Sequence, residues 1–576
     1  MYRIHQIKLD IDQPREMIPA KIAKALGIKD LRISQWHIVR ESLDARDKKH
    51  IRWIYTVDFE TERTLHLPAA SGRAANGRSA NGRAASGRGK NAPRLELAPQ
   101  EQYEQPLLPP ALLASYDSAG LAPEKRPLVI GFGPAGIFAA LILAQAGLRP
   151  LVLERGRDVD SRTADVESFW QGGPLQPESN VQFGEGGAGA FSDGKLTTGI
   201  KDARIHKVLA ELVRFGAPPE IMYRQRPHVG TDILRTVVKN IRHEIIRLGG
   251  EICFETRLSG LIAAGGLLTA VTCEGPGAAE HLRAAEDCRH LAAGRLPCRR
   301  LILAPGHSAR DTFAMLREAG AAMEQKPFSI GVRIEHPQEM IDIAQYGRPA
   351  AELGLPPAEY KLSWRCPQDA GLAAGRGVYT FCMCPGGQVI NAASEENGVV
   401  VNGMSLHARD SGWANSALLC DVRVSDFGSD DVLAGVEFQR RYETLAYQAA
   451  GRRLTPPAAT WGALRDGKAP QVEGCLPDFA LAAFRLAMPQ LGRRLQGFDS
   501  DEARIYAVET RSSSPVRILR GGDGQSLTIG GLYPCGEGAG YAGGITSAAV
   551  DGIKAAEALI RDLIAEEAAD VAPAGL

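Results

Sequence analysis

The residues of clearest chemical meaning in this chain are glycines. Leu128, Val129 and Ile130 form a short apolar run, GFGPAG follows at 131–136, and a second apolar run extends to Gly147. Strand, glycine turn and buried helix in that order make a fingerprint for the pyrophosphate of a dinucleotide. Gly131 permits the tight turn, Gly133 lets backbone amides approach the phosphates, and Gly136 allows the helix to lie close on the sheet. Pro134 and Ala135 open the helix, where the missing proline N–H has no intrahelical duty, and the helix start favours negative charge. The next apolar run, 150–153, ends at Glu154, whose carboxylate suits ribose hydroxyls and disfavours a ribose 2′-phosphate. Arg155 follows directly and works against that second inference, because a guanidinium can meet such a phosphate.

The same glycine spacing recurs at Gly184, Gly186 and Gly189, and at Gly538, Gly540 and Gly543, without completing a strand–helix–strand unit. Two further loops are nonetheless glycine-rich. QFGEGGAGAFSDGKL at 182–196 contains Gly186, Gly187, Gly189 and Lys195, and such loops let backbone amides face a bulky ligand. GLYPCGEGAGYAGGITSAAVDG at 531–552 contains Gly536, Glu537, Gly543, Gly544 and Ile545 ahead of an expected helix, whose start suits negative charge. In APGHSARDTF at 304–313, Ser308 and Asp311 have the spacing of a capping box. That reading makes His307 a neighbour of a helix start, with Gly306 offering backbone to a ligand.

These loops resemble the FAD-binding segments of flavoproteins with the glutathione-reductase-type fold, in the subgroup whose substrate domain is inserted into the nucleotide domain. More closely, GEGGAGAFSDGKL, APGHSARDTF, FCMCPGG and CGEGAGYAGGITSAAVDG are similar to an uncharacterised bacterial family of FAD-dependent dehydrogenases. The resemblance implies FAD, with pyrophosphate on Gly131, Gly133 and Gly136, ribose on Glu154, and the ribityl chain or pyrophosphate at Glu537. It sets Gly543, Gly544 and Ile545 near the pyrimidine side of the flavin ring. Gly536–Glu537–Gly538 departs from the Gly-Asp-Ala-x-His type of flavin hydroxylases, which speaks against a monooxygenase. A second dinucleotide unit and an early redox cysteine pair, both usual in pyridine-nucleotide disulfide reductases, are not found.

Flavin carries two-electron chemistry itself, so the chain needs to hold substrate and supply at most an acid or base. Cys382 and Cys384, two apart on an expected strand, point to one face as a thiol site or as buried filler. Arg333 and His336 in GVRIEHP suit an anionic substrate and a proton donor, or an ion pair and a turn before Pro337. Lys195 suits a phosphate or a flavin oxygen, and Arg511 in ETRSSSPVR an anion. Adding Cys366 and Cys420 gives thiol spacings that match no zinc or iron–sulfur pattern, so no metal is expected.

The elements that must position these residues follow from length and pattern. At 576 residues, 44% apolar, the chain has material for several cores, and 67 basic against 67 acidic residues exclude a global field toward nucleic acid or membrane. Ten cysteines, none before Cys253, do not form a secreted disulfide framework, and MYRIHQIKLD lacks the parts of a secretory signal, so a cytoplasmic protein is expected. Ile51, Trp53, Tyr55, Val57 and Phe59 alternate along one strand face, and Ile18, Ile22 and Leu26 mark a helix stripe. The expected α/β architecture is a Rossmann-like FAD-binding domain with a central parallel sheet, an inserted α+β substrate domain and a small N-terminal α/β domain. Boundaries are expected at 1–66 for the N-terminal domain, 67–105 for a low-complexity linker, 106–336 and 501–566 for the FAD-binding domain, 337–500 for the substrate domain, and 567–576 for a tail. The linker's four SGRAA-like units hold arginines without aromatic side chains, which fits a tether better than RNA contact through 71–94.

The expected function is an FAD-dependent oxidoreductase passing two electrons between an organic substrate and a second redox partner, with NAD(P)H as the transient reductant. Two other readings compete: an NAD(P)-dependent dehydrogenase without flavin, and an RNA-associated flavoprotein in which FAD is structural.

Overall fold

The computed structural model describes residues 1–67, 93–99, 103–117, 123–277 and 294–571, and in it the short apolar runs become one five-stranded parallel sheet. The spatial order is Leu532–Pro534, Leu301–Leu303, Leu128–Ile130, Leu151–Leu153, Glu251–Cys253. These strands read as unbroken apolar runs because a parallel sheet is covered on both faces. The chain order reverses between Leu128–Ile130 and Leu301–Leu303. Loops leaving those neighbours part in opposite directions, which opens a crevice at the carboxyl edge of the sheet.

The helix Pro134–Gln145 is apolar all round, with ten buried residues, because it is sandwiched between this sheet and other helices. The long helix Ile545–Val571 crosses it at Gly552, where a β-carbon would overlap the backbone carbonyl of Ala135. That crossing brings the starts of both helices to the same crevice. Ile545–Val571 also runs past position 567, where the sequence suggested a tail.

A second, six-stranded antiparallel sheet has the order Ser363–Arg365, Gly377–Cys384, Trp413–Val422, Phe328–Pro337, Arg504–Glu509, Ala458–Thr460. It begins before and ends after the 337–500 span expected for it. Phe328–Pro337 pairs along its whole length with Trp413–Val422 and sends Ile330, Val332 and Ile334 into the core, so it cannot be separated from that sheet. Helices Ala434–Ala449 and Asp478–Gly492 cover one face.

The N-terminal unit is a four-stranded antiparallel sheet in the order Gln35–Asp44, Arg52–Glu60, Tyr2–Asp10, Leu95–Leu97. Tyr55, Val57 and Phe59 pack on Ile18 and Ile22, as the alternation requires. Leu95–Leu97 was expected within the linker; it is recruited as an edge strand that pairs with Tyr2–Ile4 and adds Leu95 to that core. The glycine- and arginine-rich units, and with them most of the 71–94 segment considered for nucleic acid, lie outside the described residues. The amide of Glu41 donates to Tyr223 O and that of Gln225 to Glu41 O, each at 2.8 Å, which docks the unit onto the body. Among the described residues, no helix is long and apolar enough to cross a membrane.

One buried charge cluster ties the two large sheets together. Glu443, on Ala434–Ala449, accepts from Arg310 at 2.6 and 2.9 Å, from Arg511 at 2.8 and 3.1 Å, and from Thr510 at 2.6 Å. The two guanidinium groups hold its carboxyl far below the usual carboxylate range despite burial. Glu443→Gln leaves Arg511 without a carboxylate and Arg310 with Glu395 alone at 3.1 Å, and the expected loss is about 3 kcal/mol in urea unfolding. Gly552→Ala, which would gain about 1 kcal/mol in an isolated helix, is expected instead to destabilise by about 1–3 kcal/mol because the two helices must separate; the fall in Tm measures it.

Candidate functional site

The crevice deepens into a cavity of about 470 Å³, within the range of about 300–1,000 Å³ usual for small-molecule and cofactor sites. One side is made by the loops at 130–135, 153–155, 304–309 and 535–537, all leaving carboxyl ends of parallel strands. The glycine loop at 182–189 and the helix start at 543–545 close it. The opposite side is the bulged end of Gly377–Cys384, together with Asn402 and Glu509.

Fifteen of the seventeen residues predicted to hold a cofactor line this single cavity: Gly131, Gly133, Pro134, Ala135, Glu154, Arg155, Gly187, Gly189, Lys195, Gly306, Gly536, Glu537, Gly543, Gly544 and Ile545. Gly136 and Gly186 are buried behind its wall. A β-carbon on Gly136 would overlap the Gly131 carbonyl, so this glycine shapes the turn from within.

Glu154 is engaged with the protein itself. Its carboxylate accepts from the amides of Phe132 at 2.7 Å, Gly156 at 2.9 Å and Gly184 at 3.0 Å. It thereby knots the first turn to the second glycine loop, with about one of its roughly four acceptor positions left for a ribose hydroxyl. Arg155 lies 4.0 Å over the Phe183 ring and spans two carboxylates, Glu178 at 2.6 and 3.1 Å and Asp311 at 2.9 and 3.1 Å. Its charge is compensated, which removes the sequence argument for a 2′-phosphate.

The capping box at 308–311 does not form. The helix Arg310–Glu318 begins after Ala309 without a side-chain cap; Ser308 donates to Gln182 at 3.0 Å, and Asp311 binds Arg155 and Arg257. A buried amide acceptor and two guanidinium groups outbid the backbone N–H groups for these side chains. His307 consequently turns into the cavity, with Nδ1 3.2 Å from Glu537 Oε1 and Nε2 buried without a partner among the described residues.

The catalytic candidates separate. Cys382 lines the cavity and Cys384 lies beneath it. Arg333 and His336 do not line it, which corrects the expectation of a substrate-binding pair. Arg333 is enclosed, with Glu509 at 2.6 and 3.1 Å, Asn402 at 2.7 Å, Cys382 O at 2.9 Å and Asn415 at 3.1 Å using up its donors. His336 Nε2 bonds Phe498 O at 2.9 Å, and burial pushes the ring's pKa down to about 4. Lys195 reaches the carbonyl of Met383, between the two cysteines, and lies 3.8 Å from Glu359. Arg511 belongs to the Glu443 cluster, although it borders the cavity.

Sequence reasoning missed Asp551, Glu509 and Asp193. Asp551 accepts from the Gly536 amide at 2.8 Å and from Arg520 at 2.7 and 3.0 Å, fixing the turn that carries Glu537. An acid amid the small apolar residues of TSAAVDGIKAA was the available signal. Asp193 binds Arg409, 216 positions along the chain, at 2.5 and 3.1 Å; a pairing over that distance is invisible to local pattern, as is Glu509's with Arg333.

The donor set fits a dinucleotide cofactor. Two helix starts, with first-turn amides that lack intrahelical carbonyl partners, a residual acceptor position on Glu154 and the unpartnered His307 nitrogen all face one space.

Residues 327–512 match the family described as FAD-dependent protein, C-terminal domain-like, and residues 1–60 match a domain of unknown function. An uncharacterized protein of Clostridium beijerinckii is 41% identical over 97% of this chain and 98% of its own length. Similar solved structures include a flavoprotein/dehydrogenase from Cytophaga hutchinsonii, at 12% identity and TM-score 0.33 over 77% of this chain and 78% of that one. Another is the glycerol-3-phosphate dehydrogenase from Bacillus halodurans complexed with FAD, at 13% identity and TM-score 0.32 over 77% and 65%. With 41% identity running the length of both chains, this protein belongs to the family of the Clostridium beijerinckii protein.

Proposed function

We propose that this protein is an FAD-dependent oxidoreductase that passes two electrons between an organic substrate and NAD(P)H. The observation that carries the reading is the meeting of three glycine loops and two helix starts on one cavity where the chain order of the parallel sheet reverses. When bound, FAD supplies the two-electron chemistry.

The chain's own residues divide the remaining work. The turn at 131–136 and the start of Pro134–Gln145 bind pyrophosphate through backbone amides and the positive end of the helix. Glu154 accepts from the adenosine ribose, and the compensated Arg155 leaves no free cation for a 2′-phosphate, which FAD lacks. Glu537, steadied by His307, receives hydroxyls of the ribityl chain. Gly543, Gly544 and Ile545 border the ring, where the start of Ile545–Val571 favours negative charge. Substrate enters on the side of Lys195, Arg226 and Lys361, whose charges orient an anionic or polar group. NAD(P)H has no second dinucleotide unit here and is assigned a transient visit to the same opening.

An NAD(P)-dependent dehydrogenase needs the first turn alone and leaves the loops at 182–189 and 535–545 without a ligand. The purified protein is expected to show a visible flavin spectrum that bleaches on anaerobic addition of NADH or NADPH; a folded protein that takes up no FAD contradicts the reading. A β-carbon at Gly133 meets Gly187 at 3.6 Å, an ordinary contact, yet stands where phosphate must lie. Gly133→Val is therefore expected to keep its Tm while FAD affinity falls about 100-fold by fluorescence titration.

A further inference from the structure

Nine cysteines are described, and none is in a disulfide. Most are inert by placement: burial pushes Cys273, Cys298, Cys420 and Cys475 up to about 12. Cys382 differs from these in backbone and exposure, and Cys384 in having that thiol and Arg333 as neighbours.

The pairing register of Gly377–Cys384 breaks between Phe381 and Cys384, and Cys382 takes φ 42°, in the left-handed region that non-glycine residues seldom adopt. Bulges beside active sites re-aim side chains. Here the break turns Cys382, half-buried, into the cavity, while Cys384 stays fully buried, its Sγ 3.3 Å from the Cys382 carbonyl oxygen. Residues two apart lie at most about 7 Å apart at Cα when the chain is extended, and closer where it turns as at Cys382, which brings the pair within the span of about 4.4–6.8 Å that a disulfide bridges.

We propose that Cys382 and Cys384 form an exchanging dithiol that reduces an organic disulfide admitted to the cavity, with Cys382 as the attacking sulfur and Cys384 as the resolving one. This names a substrate class for the site of the preceding section and rests on that reading for its electron supply. The Cys382 thiolate attacks one sulfur of R–S–S–R′, forming a mixed disulfide and expelling R′S⁻. Cys384 gives its proton to that leaving group and then attacks Cys382 Sγ, expelling RS⁻ and closing the internal disulfide. The substrate gains two electrons and the pair loses two. Two electrons and one proton, supplied by the reduced flavin proposed for this cavity, restore one thiolate and one thiol.

The surroundings fit this division of labour. A hydrogen bond from Cys384, with the charges of Arg333 and Lys195, pulls the Cys382 thiol down to about 6 against burial. The same neighbour and burial push Cys384 well above the ordinary thiol range, so the accessible sulfur holds the charge and the buried one the proton. Arg333, 4.0 Å from Cys384 Sγ, thereby has a use that its enclosure denied it as a substrate ligand. The distribution matches what exchange requires, since a thiolate attacks and its rate follows the thiolate fraction.

The test uses the full-length, reduced protein and 5,5′-dithiobis(2-nitrobenzoate), a dicarboxylate disulfide with a coloured leaving thiolate. Wild type is expected to release two equivalents, lose about 2 Da without retaining an adduct, and yield a peptide linking Cys382 to Cys384. Cys384→Ser is expected to release one equivalent and keep the adduct on Cys382, whereas Cys382→Ser slows release about 100-fold. Below its pKa the thiol is protonated, so iodoacetamide modification of wild-type Cys382 should rise between pH 5 and about 7 and then level off; Cys384→Ser also removes the hydrogen bond, so its plateau should come at higher pH. A stable adduct on wild-type Cys382, or no reaction there, overturns the proposal. Flavin content, read from the visible spectrum of the same samples, separates the outcomes: exchange without flavin defeats the cofactor reading alone, and flavin without exchange defeats the dithiol alone.

Discussion

The site depends on direct approach of one backbone to another. A β-carbon on Gly131 would overlap the carbonyl of Ala304, one on Gly136 that of Gly131, one on Gly538 that of Gly306, and one on Gly552 that of Ala135. Three of these contacts join different segments around the crevice, and the Gly136–Gly131 contact closes the first turn on itself. Without them the strands at 128–130 and 301–303 still pair, but the loops that leave them and the two helices could not converge. Close packing without side chains leaves amides and helix ends as the chemical surface, and that surface suits phosphate.

Charge does the complementary work at longer range. The cavity joins two sheets of different type, and the junction is fastened by buried ion pairs: Glu443 with Arg310 and Arg511, Asp193 with Arg409, and Glu509 with Arg333. Such groups cost desolvation, which close opposite charges and hydrogen bonds offset. Their fixed geometry also sets the field at the far wall. The same arginine that neutralises Glu509 donates to the Cys382 carbonyl and lies 4.0 Å from the Cys384 sulfur, so the interface and the thiol pair share one source of positive potential.

Most of the parallel-sheet half was legible in the sequence because its signals are local. Three-residue apolar strands, glycine turns and an all-apolar helix are each recognisable within a short window, and nearly all the residues so chosen reach the cavity. What depended on competition between partners was not legible. Ser308 and Asp311 have a cap's spacing, yet Gln182, Arg155 and Arg257 claim them from afar, and this frees His307 for Glu537. Arg333 and His336 look available beside a proline, but the strand carrying them lies between two others and buries both. The boundary expected at Pro337 failed for the same reason: pairing across the sheet, not local composition, decides where that unit starts.

The central claim is that separate glycine loops enclose one adenine-linked flavin. Hydrogen–deuterium exchange of the full-length protein, compared with and without FAD, tests it most directly. Slowed exchange is predicted together at 131–137, 184–189 and 536–546, with the N-terminal sheet unchanged. Protection confined to 131–137, or none at any of the three, would contradict it.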